Sequence, residues 1–309
     1  MARVQFGITN PRGTPLGIVD PAVLAEKAEA WGYDSFWAPD LLSTSDLDPL
    51  VLLSGAATRT TRIRLGTGVL ILPARPPVQL AKTALSLDAV SHGRLILGTG
   101  LGRYWGDLEA AQVAPGTRAR VADEAIEALR RLVHETNVSY EGRHFNFKDL
   151  TILPRPVREN GLPIWTSAYW NGKVVEGPLK RAGRFGDGFL YRAPPRLYKE
   201  VRERISDYAV SFGRDPGAME WSCFMFACMG PSREKAWETL GQVFRTALGR
   251  EPTDKEEGCY AVGTVDDCIE GIRRYMDVGL NHIVISAKCP PEQVPELYEA
   301  FAKEVIPRL

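Results

Sequence analysis

Cysteine is scarce in this 309-residue chain: Cys223, Cys228, Cys259, Cys268 and Cys289 are odd in number, and no two form a CxxC pair. Cys223 and Cys228 lie five apart in a strand-like run, which turns their side chains to opposite faces. That spacing disfavours both a disulfide scaffold and a zinc site. An excess of charge of either sign is also missing, since 38 Lys and Arg balance 38 Asp and Glu. The chain therefore lacks the bulk electrostatic drive on which nucleic-acid binders depend. No stretch approaches 18 uncharged apolar residues, so no membrane span is expected. The opening MARVQFGITNPRG runs straight into a strand, without the apolar core and small-residue cleavage site of a signal peptide. The expected location is the cytoplasm.

What the sequence does contain is a repeating beat of short apolar strand, loop and amphipathic helix. Val4–Thr9 reads as a strand, and Asp20 caps a helix whose first residue is Pro21, where the missing N–H costs nothing. Leu24, Ala28 and Trp31 share a face of that helix, and Gly32 ends it. Ser35–Pro39, Ile63–Leu72, Leu95–Thr99, Ile164–Ala168, Gly188–Tyr191, Trp221–Cys228 and His282–Ser286 read as strands two to eight. A long helix is expected from about Arg118 to Glu135, with Glu127 and Arg131 as an i,i+4 ion pair on its wet side. Two stretches break the beat: Asn137–Pro156, read as a hairpin excursion, and Gly249–Gly263, read as irregular. After the second, Thr264 to Asp267 reads as a capping-box variant. Trp31-Gly-Tyr-Asp34 recurs as Val278-Gly-Leu-Asn281, the same helix-to-strand joint at the first and last units. Eight such units without a composition break predict one domain, residues 1–309. It is an α/β single (β/α)8 TIM barrel, with insertions after strand 4 and before strand 8. An open doubly wound sheet of eight strands is the alternative, and it would be unusually wide.

In such a barrel the chemistry sits at the C-terminal ends of the strands. Two features mark those ends. Strands three and four are glycine-dense, as LGTGVLILP (Leu65–Pro73) and LGTGLG (Leu97–Gly102), and glycine inside a strand marks a bulge or a close approach of backbone to ligand, or else tight packing. Tyr104, Trp105, Tyr169, Trp170 and Tyr191 make an aromatic rim suited to a broad flat ligand or a partner surface. There is no GxSxG, no P-loop and no His, Asp or Glu set with metal spacing. None of the four histidines falls at a strand's C-terminal end, and His282 opens a strand at the opposite end. With so few proton-transfer groups, a cofactor is expected to carry the hard chemistry.

The segments Leu65–Gly102, Arg118–Leu132, Phe147–Trp165, Leu179–Phe189 and Val262–Ile285, with the closing IPRL, resemble the bacterial luciferase-like family in this order. The resemblance covers essentially the whole chain and is closer to the branch that uses coenzyme F420. It implies a barrel that binds that deazaflavin, or FMN as the alternative, at the strand ends. It also implies a non-prolyl cis peptide at Gly68–Val69, beside the ring. Carried over residue by residue, it gives a catalytic and cofactor-side role to Asp40, and cofactor contacts to Thr67, Gly68, Val69, Gly100, Leu101 and Gly102. Ser167, Ala168, Gly172 and Lys173 fall where the phosphate is held. Leu70, Trp105, Tyr169 and Tyr191 are expected to shape the substrate pocket, and Arg12, Arg75, Arg103 and Arg192 are candidates for the coenzyme's anionic tail. No metal is expected.

Two departures bear on mechanism. Dehydrogenases of the deazaflavin branch resemble one another in a His directly after the strand-two acid, where this chain has Leu41. Some also carry Glu after the strand-four glycines, where this chain has Arg103. The expected function is hydride transfer between coenzyme F420 and a small organic substrate. Its alternatives are an FMN-dependent monooxygenase and a flavin-binding barrel without turnover. The expected partners are a small-molecule substrate, a separate reductase that regenerates the cofactor and a second copy of the chain. Neither a nucleic acid nor a membrane is among them.

Overall fold

The computed structural model describes residues 3–12, 18–44, 46–170, 172–249, 251–252 and 258–309. Its short apolar runs form β1 (Gln5–Thr9), β2 (Ser35–Ala38), β3 (Arg64–Thr67), β4 (Leu95–Gly100), β5 (Ile164–Tyr169), β6 (Gly188–Arg192), β7 (Glu220–Met229) and β8 (His282–Ala287). Each pairs in parallel with the next, and β8 pairs back onto β1, so the ring is closed. The helices α1 (Pro21–Ala30), α2 (Pro49–Arg59), α3 (Pro77–Val90), α4 (Trp105–Ala110), α5 (Arg118–His134), α6 (Glu176–Phe185), α7 (Tyr198–Ser211), α8 (Arg233–Leu248), α9 (Val265–Met276) and α10 (Val294–Ala300) alternate with the strands. This is the expected (β/α)8 barrel, and it leaves the open sheet without support.

The local signals act as their chemistry requires. The carboxylates of Asp20 and Asp48 accept the first free N–H groups of α1 and α2, each followed by Pro at the first helical position. Thr264 and Asp267 cap α9 reciprocally. The repeated joint also has one solution: Gly32 and Gly279 take φ of +90° and +80°. The Asp34 carboxylate then accepts the N–H of Phe6 at 2.8 Å, and the Asn281 side chain accepts that of Trp221 at 3.2 Å.

Three expectations need correction. Tyr260–Gly263, inside the stretch expected to be irregular, is a short strand parallel to the C-terminal half of β7. Its alternation is only four residues long, with Tyr260 and Val262 packed on Leu240 and Phe244 of α8 and Ala261 in the main core. Arg250 and residues 253–257 of that stretch lie outside the described residues. The expected third strand is interrupted at Gly68–Val69 and resumes as Leu70–Ile71. On α5, Glu127 pairs with Arg184 of α6 at 3.3 Å and Arg131 with Glu135 at 3.3 Å, because the facing helix offers Glu127 a nearer cation. The excursion after β4 does form a hairpin, Val138–Glu141 against Asn146–Leu150.

Two layers of core result. The outer one, between strands and helices, holds Leu24, Leu53, Leu85, Leu129 and Ile205, all essentially buried. The inner one fills the barrel with Trp37, Ile96, Trp165, Leu190 and Val284, with Val69 and Phe224 packed above them. Cys223 sits in the outer core and Cys228 in a separate cluster against α8, consistent with opposite faces.

Tyr298 of α10 closes the seam between β8 and β1. Its hydroxyl donates to the carbonyl of Thr9 at 2.8 Å and accepts the N–H of Ala287 at 3.1 Å. Tyr298→Phe leaves both buried groups unsatisfied and should lower stability by about 1–3 kcal/mol in denaturant unfolding. A change within 0.5 kcal/mol, the ordinary scatter of neutral surface substitutions, would remove the seam role.

Candidate functional site

The C-terminal ends of the strands gather most of the residues singled out above. The peptide joining Gly68 to Val69 is cis, as the resemblance implied. Asp40, just beyond β2, is buried, and its oxygens accept the N–H of Ile71 at 2.8 Å and the Arg75 guanidinium at 2.9 and 3.3 Å. Arg75 also reaches Asp48 at 2.8 Å. Asp40 is thus a positioning residue that ties the loop after β3 to the loop before α2. Arg75, expected as a candidate for an anionic tail, has its charge committed to this clamp.

The glycines of β3 and β4 make room chiefly for the protein itself. A Cβ on Gly66 would lie 2.3 Å from the Trp37 ring, and one on Gly68 would lie 2.6 Å from the Phe224 ring. At Gly98 it would meet the carbonyl oxygen of Thr67 at 2.1 Å, and at Gly100 a methyl of Val69 at 2.5 Å. Of the two readings of these glycines, tight packing accounts for the missing side chains: Gly66 and Gly68 admit the indole and phenyl groups that plug the barrel, and Gly98 and Gly100 admit the Thr67 carbonyl and the Val69 methyl. The roles expected of Thr67 and Leu70 are corrected. Thr67 is fully buried, donating to the Gly98 carbonyl at 2.7 Å, and Leu70 is fully buried in the outer core. Neither side chain is open to a ligand.

Beside the plug lies a cavity of about 350 Å³, lined by Leu101, Ala168, Tyr169, Lys173 and Tyr191 together with Arg118, Arg181 and the first turn of α6. Five of the expected residues therefore converge, and the size suits a ligand. Three lining residues are basic and none is acidic. Gly177 and Leu179 bring in the N-terminal end of α6, whose unbonded N–H groups and dipole favour negative charge. Arg118 and Arg181, absent from the sequence-based set, belong to this site. Arg118 carried a signal, since it opens α5, where a cation is out of place unless it meets an anion, whereas Arg181 lies mid-way along α6 and spends its charge on Asp123 at 2.5 Å.

Tyr191 is only 2% exposed and packs in the outer layer against Phe189 and Tyr198, so it lines the cavity and not the open pocket assigned to it. Burial foremost pushes its phenol up to about 12, which keeps it protonated. Ser167 donates to the Thr99 carbonyl at 2.9 Å, while Gly172 (φ +104°) and Lys173 stand on the exposed rim. Trp105, in the first turn of α4, is 40% exposed. Tyr169 lies under two guanidinium groups, Arg103 at 5.0 Å and Arg192 at 4.4 Å from its centroid. At the other end of the barrel His282 is fully buried, its Nε2 2.7 Å from the Ser35 hydroxyl. Burial, then Arg64, lowers it to about 3, so it is neutral. Among the described residues no group of three or more His, Cys, Asp or Glu is placed to hold a metal, and no helix is long and apolar enough to cross a membrane.

With this geometry in view, comparison with known proteins decides the family. Residues 20–282 match the model of the luciferase-like monooxygenases. The chain belongs to that family. It is 28% identical to an F420-dependent glucose-6-phosphate dehydrogenase of Intrasporangium calvum, over 100% of this chain and 99% of that protein. It is 27% identical to the 4-hydroxyprotoasukamycin monooxygenase of Streptomyces nodosus subsp. asukaensis, over 100% of this chain and 93% of that one. The coenzyme F420 dependent tetrahydromethanopterin reductase of Methanopyrus kandleri shares the fold, with a TM-score of 0.82 at 21% identity, covering 99% of each chain. Like other members of its luciferase-like family, the protein is an oxidoreductase.

The family's phosphate-bearing cofactors fit the donor set of the cavity: Lys173, Arg118 and the start of α6 meet no competing carboxylate in its lining. Two expected outcomes follow for the surrounding scaffold. Gly66→Ala should cost about 1–3 kcal/mol or more in denaturant unfolding, because Trp37 cannot retreat. Arg75→Met should lower stability by about 3–5 kcal/mol by leaving Asp40 buried without its cation. A melting temperature unchanged in Arg75→Met would discard the clamp.

Proposed function

We propose that this luciferase-like oxidoreductase uses coenzyme F420 for hydride transfer to or from a small organic substrate. The basic, acid-free cavity at the start of α6 carries the reading, since it suits the phosphate of such a coenzyme. Support comes also from F420-dependent relatives along the full chain. Arg118, Lys173 and the first turn of α6 hold the phosphate, with Ser167, Ala168 and Gly172 beside them. The backbone from Gly68 to Val69 and from Gly100 to Gly102 flanks the ring. When bound, the deazaflavin supplies a two-electron hydride donor or acceptor. Tyr169, fixed between Arg103 and Arg192, walls the pocket with Trp105 and orients the substrate, a contribution that can supply much of the rate.

Oxidation of an alcohol is not the favoured direction. Leu41 offers no proton acceptor after the strand-two acid, and Asp40 is engaged by Arg75. Reduction of an activated double bond or imine accords better with these residues. The FMN-dependent monooxygenase is the second reading, favoured by the monooxygenase relative and by a cavity that would seat an FMN phosphate equally well. A cytoplasmic homodimer supplied with cofactor by a separate reductase completes the proposal.

Fluorescence titration of the purified protein with each cofactor tests it. Saturable binding of coenzyme F420 is expected, weakened about tenfold by Lys173→Ala or Arg118→Ala, the loss of one charge-assisted hydrogen bond. Tight FMN binding with none of the deazaflavin would overturn the preference.

A further inference from the structure

Lys288 stands where β8 reaches the mouth, four strands round the ring from β4 and three from β5, and so across the barrel from the cavity just described. Val284 faces the barrel interior, and alternation brings Ser286 and Lys288 to the same side. The ammonium nitrogen donates to the Ser286 hydroxyl at 3.1 Å and the Ala287 carbonyl at 3.3 Å, which leaves it a third N–H. It lies 4.5 Å from the centroid of the Phe226 ring, and the Arg192 guanidinium lies 4.3 Å from the same centroid. Arg12, on the loop after β1, stands close enough to act on Lys288, and its guanidinium is 6.0 Å from the Tyr104 ring. Among the described residues no Asp or Glu forms an ion pair with Lys288 or Arg12.

Lys288 and Arg12 carry like charges with no acid paired to either among the described residues, and a partly buried site screens their repulsion poorly. An arriving anion relieves it and takes up the third N–H. We propose that Lys288, flanked by Arg12 and Arg192, is a subsite for an anionic group, a carboxylate or phosphate, carried by the substrate. The proposal rests on the oxidoreductase reading only in taking the mouth as the substrate's place. The cofactor's phosphate has its own cations on the other side of the ring.

The groups that face Lys288 give the site a pH dependence. Burial, then Arg12 and Arg192, lowers Lys288 to about 7. Cys289, the neighbouring thiol, is pushed up to about 12, chiefly by burial, and stays neutral. Near neutrality the amine is therefore partly uncharged, and an anion that binds the charged form draws in a proton. Affinity is highest below the free protein's value, where Lys288 is already charged, and falls as the pH rises above it.

The test needs no cofactor. Protein carrying 13C-labelled lysine is titrated with inorganic phosphate and with acetate at ionic strength held by chloride. The Lys288 signal is identified by its loss in Lys288→Arg. Each anion is expected to raise the Lys288 midpoint by about one unit, a tenfold gain in proton affinity. Calorimetry should show phosphate binding to wild type that weakens as the pH rises through neutrality. Lys288→Arg should bind with little pH dependence, and Lys288→Met about tenfold more weakly. A Lys288 midpoint indifferent to both anions overturns the proposal, even if coenzyme F420 binds as expected. So does a midpoint that moves only with coenzyme F420 and not with phosphate, acetate or FMN, which would assign the cations to the coenzyme's tail.

Discussion

An eight-stranded parallel barrel encloses a space that side chains must fill, and here three large aromatic groups fill much of it. Trp37, Trp165 and Phe224 meet at the axis, with centroids 5.3 Å apart for the two indoles and 6.1 Å for Trp37 and Phe224. The rest of the interior is arranged around that plug. Gly66 and Gly188 are bare because an indole lies against each, and Gly68 is bare because of Phe224. The plug sets the depth of the mouth. Side chains beyond it meet solvent or ligand, and those beneath it, such as His282, are sealed in a neutral form.

Above the plug the mouth is divided by charge. One sector, between β4 and β5, has the start of α6 and a wall without acids. The opposite sector, where β8 meets β1, has Lys288 and Arg12. Two acids near the mouth are spent internally: Asp40 on Arg75, and Asp107 of α4 on the N–H of Ser43 at 3.1 Å. A basic wall therefore arises in a chain whose formal charge is zero, because no carboxylate lines the cavity at the start of α6. Net charge bounds the partners a protein takes from bulk solution. It says little about the potential inside a concavity.

The ring of eight strands, the helix starts and the seam joints were legible because each rests on a local signal of period, cap or turn. Asp20 with Pro21 and Gly32 with Asp34 need no tertiary context. The glycine-rich strands were legible as special, yet their meaning depended on which distant side chain lies opposite, and only the folded register tells that Trp37 faces Gly66. Thr67 and Leu70 were misassigned for the same reason: in a two-layer barrel, adjacent strand residues face different layers. Phe226, Ser286 and Lys288 were readable by counting inward positions along β7 and β8. Arg118 and Arg181 were harder, since each reaches the site from the helical ring and not from a strand end.

The phenol of Tyr298, which bridges Thr9 and Ala287, bonds Thr9 from 289 positions further along the chain. Loop-closure entropy must be met before so remote a contact returns anything, and contacts of this kind slow folding. On a ribosome, the first strand emerges long before the aromatic side chain that will latch it to the eighth. Until then the cylinder is a curved sheet with two bare edges, able to pair with a neighbour's. The molecule's most vulnerable interval is thus an early one in its life, set by the order in which its parts are made.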